Sequence, residues 1–177
     1  MEDLVILMGS AGAGKTVQGQ RLASELGWTH LSTGVLLRAD ATRAAQLATG
    51  KLTPPSEVER VLEQSVYAAA PDRTIVLDGF PRMVDQAEWL DGQLRVWKRA
   101  IKQVLLLEVS PEVSHSRLSA RGRTDDTPAA QAVKQSAYEL ETKPVLDYYE
   151  SRGLLHRIDG HGTKDEVYSR ITKVFNV

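Results

Sequence analysis

Gly9-Ser10-Ala11-Gly12-Ala13-Gly14-Lys15-Thr16 places three glycines and a lysine directly after an apolar run, Leu4–Met8. The stretch satisfies the spacing G-x-x-x-x-G-K-[ST]. Small residues let the backbone curl so that successive N–H groups converge on an anion. A helix starting at Lys15 would add its positive end. Lys15 would then reach the outer phosphates of a nucleoside triphosphate, and Thr16 would hold Mg²⁺. The plainer alternative is a glycine-rich turn with a solvated lysine. A strand before the loop and a helix after it weigh against that. The motif alone does not separate a kinase from a GTPase or an ATPase.

Four further stretches carry charge or hydrogen-bonding chemistry: His30-Leu31-Ser32-Thr33-Gly34 with Arg38; Gly50-Lys51-Leu52; Asp78-Gly79-Phe80-Pro81-Arg82 followed by Gln86; and Arg117, Arg121, Arg123, Asp125 and Asp126. A phosphate acceptor is already largely dianionic near neutral pH, its second pKa being about 6. A nucleophile of that kind needs no catalytic base, only positive charge and alignment. Lys15, Arg38, Arg82, Arg117, Arg121, Arg123 and Lys134 are available for the task. Guanidinium forks suit it because they bind phosphate bidentately. Taken singly, each arginine reads more simply as a surface ion pair.

Taken together and in this order, the motifs resemble the adenylate kinase group of nucleoside monophosphate kinases over nearly the whole chain. The resemblance implies the reaction Mg·ATP + AMP ⇌ 2 ADP. It implies an α/β, three-layer P-loop fold with a five-stranded parallel sheet, a small monophosphate-binding insert at about 32–58 and a minimal lid at about 121–127. On the ATP side it places Gly12, Ala13, Gly14, Lys15, Thr16 and Val17, then Arg117 and Arg121, with Gly162 contacting the ATP base through its backbone. On the AMP side it places Arg38 and Arg82 as a clamp on the acceptor phosphate, within the loop Gly79, Phe80, Pro81. Lys51, Leu52 and Thr53 would contact the acceptor nucleoside, and Thr33 and Gln86 would face adenine. Arg123 and Lys134 would approach the acceptor or the transferred group. The catalytic set is Lys15, Arg82, Arg121, Arg123 and Lys134; Thr16 and Asp78 would serve Mg²⁺.

The chain also departs from the family pattern. Val17 stands where relatives carry threonine, because the threonine is moved back to position 16. Val35 replaces an aspartate, and Lys134 replaces an arginine, so a planar fork becomes a point charge. One residue separates Arg121 from Arg123, so the lid is short. With no cysteine, the zinc cluster of some long-lid relatives is not expected. Two rival readings follow: a kinase for another acceptor such as UMP or CMP, and a nucleotide-binding regulatory protein with weakened catalysis.

These loops need a scaffold. Strands are expected at Leu4–Met8, Thr29–Leu31, Thr74–Leu77, Gln103–Val109 and Leu154–Ile158, alternating with helices. That alternation implies βαβ units and a mostly parallel sheet. Ligands then sit beyond the carboxyl ends of the strands, which puts the loops at 9–14, 32–34, 78–82 and 110–111 on one rim. Ser110-Pro111 and Thr127-Pro128 read as helix starts. Ser56 with Glu59, and Thr163 with Glu166, read as capping boxes. The length of 177 residues suits one domain, residues 1–177. A net charge of −1 gives no overall basic footprint for nucleic acid. Leu4–Met8 is too short to span a bilayer. A cytoplasmic monomer is expected, with small-molecule nucleotides as partners. The four histidines lack a metal-ligand spacing, and Trp28, Trp89 and Trp97 are expected in the core.

Overall fold

A computed structural model describes residues 2–39, 53–123 and 127–176. The strands are β1 (Glu2–Met8), β2 (Thr29–Ser32), β3 (Ile75–Asp78), β4 (Arg99–Glu108) and β5 (Leu155–Asp159). They form one parallel sheet in the order β2-β3-β1-β4-β5. Alternation along β1 divides the core. Leu4, Ile6 and Met8 face one side, while Val5 and Leu7 face the other. A strand buried on both faces reads as a continuous apolar run, which is why LVILM marks the sheet centre.

The helices are α1 (Lys15–Leu26), α2 (Thr33–Arg38), α3 (Pro55–Ala68), α4 (Val84–Trp97), α5 (Pro111–Arg121), α6 (Pro128–Ala137), α7 (Lys143–Glu150) and α8 (Lys164–Phe175). A π-helical turn, Tyr138–Thr142, joins α6 to α7. Leu62 of α3, Leu90 of α4 and Tyr149 of α7 cover the face of Leu4, Ile6 and Met8. Leu22 of α1 and Ile171 of α8 cover the other. The result is the expected three-layer α/β/α arrangement.

Several local signals act as expected. Ser110 accepts from the Val113 N–H, and Thr127 from the Ala130 N–H. Thr163 and Glu166 form a complete capping box. Trp28 stacks edge-on against Phe175, and Trp89 against Phe80 and Trp97.

Two expectations are corrected. Ser56 caps nothing: α3 begins at Pro55, after Pro54, with no side-chain cap. Proline's fixed φ suits the first helical position, so Ser56 falls inside the first turn. Strand β4 also begins at Arg99, four residues before the apolar run. Arg99 is buried, and its guanidinium donates to the carbonyls of Arg73, Ala70 and Pro71. A charged residue satisfied by distant carbonyls leaves no mark in a hydropathy pattern.

Candidate active site

Parallel register aligns the strand ends: Ser32 and Leu7 both pair with Asp78. Each strand then turns into a loop that carries polar side chains. The loop after β1 wraps onto the start of α1, with Ala13 N–H donating to the Ser10 carbonyl at 3.2 Å. Gly12 has φ +84°, and a Cβ there would lie 2.5 Å from the Ser114 carbonyl oxygen. Ser114 of α5 also donates to the Ala11 carbonyl. Helix α5 therefore lies against the loop, and a side chain at position 12 would separate them.

Lys15 donates to the carbonyls of Gly9 and Ser10 at 2.7 and 2.8 Å. Burial pulls its pKa down to about 8, against the pull of Asp78, and Arg82 and Arg121 lower it further. The Thr16 hydroxyl donates to Asp78 Oδ2 at 2.6 Å, and Ser32 to the same oxygen at 3.1 Å. Burial alone would raise the Asp78 pKa. His30, Lys15 and Thr16 outweigh it and hold the carboxyl near 2. A carboxylate kept ionised beside a hydroxyl is an all-oxygen donor set, which fits Mg²⁺.

A second wall of the site is built from β2, β3 and the helices that follow them. Arg38 donates to the Gly34 carbonyl at 2.6 Å, and Arg82 Nε to the Gly79 carbonyl at 2.8 Å. Gly79 has φ +84°, and a Cβ there would stand 2.8 Å from Thr33 Oγ1 and 3.3 Å from Arg82 Nη2. Glycine thus lets the β2 and β3 loops close on each other. Burial pushes the Arg82 guanidinium down; Asp78 opposes this, Arg38 adds to it, and Glu141 opposes it. The Arg82 backbone N–H donates to Gln86 Oε1 at 2.8 Å.

Arg117 ties the P-loop to residues 160–162. It reaches the carbonyls of Ala13 at 3.3 Å, Gly160 at 3.0 Å and Gly162 at 3.3 Å. All these elements face one cavity of about 740 Å³, a size that suits small-molecule ligands. From the P-loop it is lined by Gly12, Ala13, Gly14, Lys15, Thr16 and Val17. From the segments after β2 and β3 and the approach to α3 come Thr33, Arg38, Thr53, Asp78 and Gly79, then Phe80, Pro81, Arg82 and Gln86. Arg117, Arg121, Arg123, Lys134 and Gly162 complete the set. Lys51, Leu52, Asp125 and Asp126 lie outside the described residues. Val17 is 39% exposed on the cavity wall, whereas the exposed Val35 is not among its described lining.

Sequence reasoning missed part of the wall. Ser32 braces Asp78, and His30 Nε2 stands 3.8 Å from Asp78 Oδ2, although neither residue was assigned a role at the site. Tyr138 and Thr142 also line the cavity. Their signal was present: Lys134, Tyr138 and Thr142 recur every four residues, the spacing of one helix face.

A parallel sheet of this order with a glycine-rich loop wrapped onto α1 defines a P-loop nucleotide-binding protein. Comparison with known proteins narrows the class. The family model for adenylate kinase matches residues 7–154. The chain is 36% identical over 185 residues to the adenylate kinase of Thermus thermophilus, covering 98% of this chain and 97% of that one. It is 35% identical over 179 residues to the adenylate kinase of Stenotrophomonas maltophilia, covering 94% and 96%. A third relative, the adenylate kinase of Deinococcus deserti, is 36% identical over 188 residues, covering 96% and 95%. This chain belongs to the adenylate kinase family.

Proposed function

We infer that this protein transfers the terminal phosphoryl group of Mg·ATP to AMP, yielding two ADP. One observation carries the reading. Lys15 from the P-loop, Arg38 from α2, Arg82 from the β3 loop, Arg121 from the end of α5 and Lys134 from α6 line one cavity. A cavity lined by cations from separate elements favours anionic ligands. Two phosphate chains meeting in the cavity would supply those anions.

In this reading the loop N–H groups at 12–16 and the positive end of α1 hold the donor phosphates. Lys15 swings from its two carbonyls onto the outer phosphates. Thr16 and Asp78 would hold the Mg²⁺ that accompanies ATP, where it neutralises phosphate charge. Arg38 and Arg82 fix the acceptor phosphate opposite. Arg121, Arg123 and Lys134 stabilise charge on the transferred group. Thr33 and Gln86 receive the acceptor base, and Gly162 receives the ATP base. The insert at about 32–58 and the lid at about 121–127 fold over the two nucleotides and exclude water as a competing acceptor. We read the chain as one domain, which its length of 177 residues suits, and as a cytoplasmic monomer without a nucleic-acid partner, in keeping with its lack of cysteine and its net charge of −1.

The test is a coupled assay of purified protein with ATP, Mg²⁺ and each monophosphate in turn. ADP formation should be fastest with AMP. Equal or better turnover with CMP or UMP would remove the adenine assignment. Tight ATP binding without ADP formation from any acceptor would identify a regulatory protein instead.

A further inference from the structure

His161 lies in the short turn between β5 and α8, and its ring joins two loops. The backbone N–H of Ser110, at the start of α5, stands 3.0 Å from His161 Nε2. A backbone N–H only donates, so Nε2 accepts and carries no proton. The proton of the neutral ring is then on Nδ1. Asp159 Oδ1 accepts it at 2.7 Å. The two bonds exist together only in the neutral imidazole.

The turn that His161 holds is part of the cavity wall. Gly162 and Thr163 line the cavity beside the P-loop. Arg117 joins the Gly160 and Gly162 carbonyls to that of Ala13. The Gly160 N–H donates to the Glu108 carbonyl at 2.7 Å. Arg170 of α8 reaches the carbonyls of Asp159 and His161 at 2.9 and 2.6 Å. These ties use backbone and guanidinium groups. The Ser110–His161 bond differs, because a proton converts its acceptor into a second donor.

The charged side chains on the elements around the ring are Asp159 of β5, Arg170 and Glu166 of α8, Arg117 and Glu112 of α5, and Glu108 of β4. The His161 backbone N–H, and then its ring, hold the Asp159 carboxyl below the usual range. The Thr163 backbone N–H does the same for Glu166, and the Ser110 side chain for Glu112. Among these side-chain types imidazole is the one that changes charge between pH 5 and 8. A protonated ring keeps its bond to the Asp159 carboxylate and loses the one to Ser110.

Resting on the ATP reading above, we propose that His161 is a positioning residue for the donor nucleotide. Its neutral ring clamps the turn that carries Gly162 to the start of α5, and protonation releases the clamp. Helix α5 in turn lies against the P-loop through Ser114. ATP binding therefore weakens in mild acid, while the wall built from β2 and β3 is untouched.

The experiment uses the full chain with His161→Gln and His161→Phe. Glutamine supplies a neutral oxygen acceptor that does not titrate, and phenylalanine supplies none. Calorimetry gives the Kd for Mg·ATP and for AMP at pH 7.5 and 5.5. Protonation of each nucleotide is common to the three proteins, so ratios between proteins at one pH are compared. At pH 7.5 His161→Phe should bind Mg·ATP about three- to fivefold more weakly than wild type, with His161→Gln within about twofold. At pH 5.5 wild type should match His161→Phe and fall about three- to fivefold below His161→Gln. The three proteins should agree for AMP within about twofold at both pH values. Long-range ¹H–¹⁵N spectra of nucleotide-free wild type should find the ring proton on Nδ1 at pH 7.5. Equal pH dependence in wild type and His161→Gln overturns the proposal. So does wild-type ATP affinity in His161→Phe at pH 7.5, or an equal loss for ATP and AMP. A ring proton on Nε2 at pH 7.5 overturns it without any nucleotide. Wild-type protein that binds no ATP would instead refute the functional reading.

Discussion

The two halves of the cavity are built by different means. The donor half is mainly backbone. Glycines at 9, 12 and 14 shape the loop, α1 contributes its amino end, and Arg117 binds three carbonyls that hold the loop to residues 160–162. Lys15 is satisfied by two carbonyls of its own loop. The half proposed for the acceptor relies on side chains from β2, β3, α2 and the approach to α3. A backbone cradle recognises what all triphosphates share. In the proposed reading, a side-chain wall would recognise what distinguishes one acceptor from another.

The sharpest way to break this comparison is to remove one cation from each half. Lys15→Met should lower kcat by about two to three decades, as expected when a charge aimed at the transferring phosphate is lost. Arg82→Ala should lower kcat/KM for AMP by about two decades, with the ATP Kd held within about twofold. Titration calorimetry with ATP separates the two variants. If Arg82→Ala weakened ATP as much as AMP, the halves would not be independent.

Lys134 lines the same cavity. Lys134→Ala should lower kcat by about a decade or more, and Lys134→Arg should retain most of the activity, in steady-state assays with both substrates saturating. Wild-type kinetics for the alanine variant would place Lys134 outside the reaction.

A smaller effect concerns pH. Burial holds Lys15 near 8, below the ordinary lysine value of 10.5. Its charge is therefore present below that pH and lost above it. In the free protein, kcat/KM for ATP should fall about tenfold between pH 7 and 9, while Lys15→Arg stays flat over that range. Bound triphosphate would hold the proton on Lys15, so kcat should vary less. An equal fall in the arginine variant would assign the titration elsewhere.

The smallest effect belongs to Val17. It is exposed on the donor wall, and Thr16 already holds the hydroxyl beside Asp78. Val17→Thr should change the KM for ATP by less than about threefold. A larger gain would mean that the backbone cradle leaves part of the donor phosphate unrecognised.

Much of the donor half was legible in the chain because its residues are contiguous. Loop, lysine and helix start follow one another from Gly9 to Thr16, and their spacing carries the geometry. The acceptor half was legible mainly through family resemblance. Arg38, Asp78, Arg82 and Gln86 are separated in sequence, and only parallel register brings Ser32 level with Asp78. The bracing of Asp78 by Ser32 and His30 was not legible, since neither residue type announces a partner 46 or 48 positions away. Nor was the early start of β4, because the carbonyls that satisfy Arg99 come from residues 70–73.

The sequence by itself determined the alternation of strands and helices, the caps at Ser110, Thr127 and Thr163, and the glycine-rich cradle. These depend on interactions within a few residues, where spacing and side-chain type are sufficient. Tertiary structure alone decided which cations share a cavity and which carboxylate stays ionised. Those outcomes depend on burial and on through-space charge, and both are fixed only when distant segments pack together.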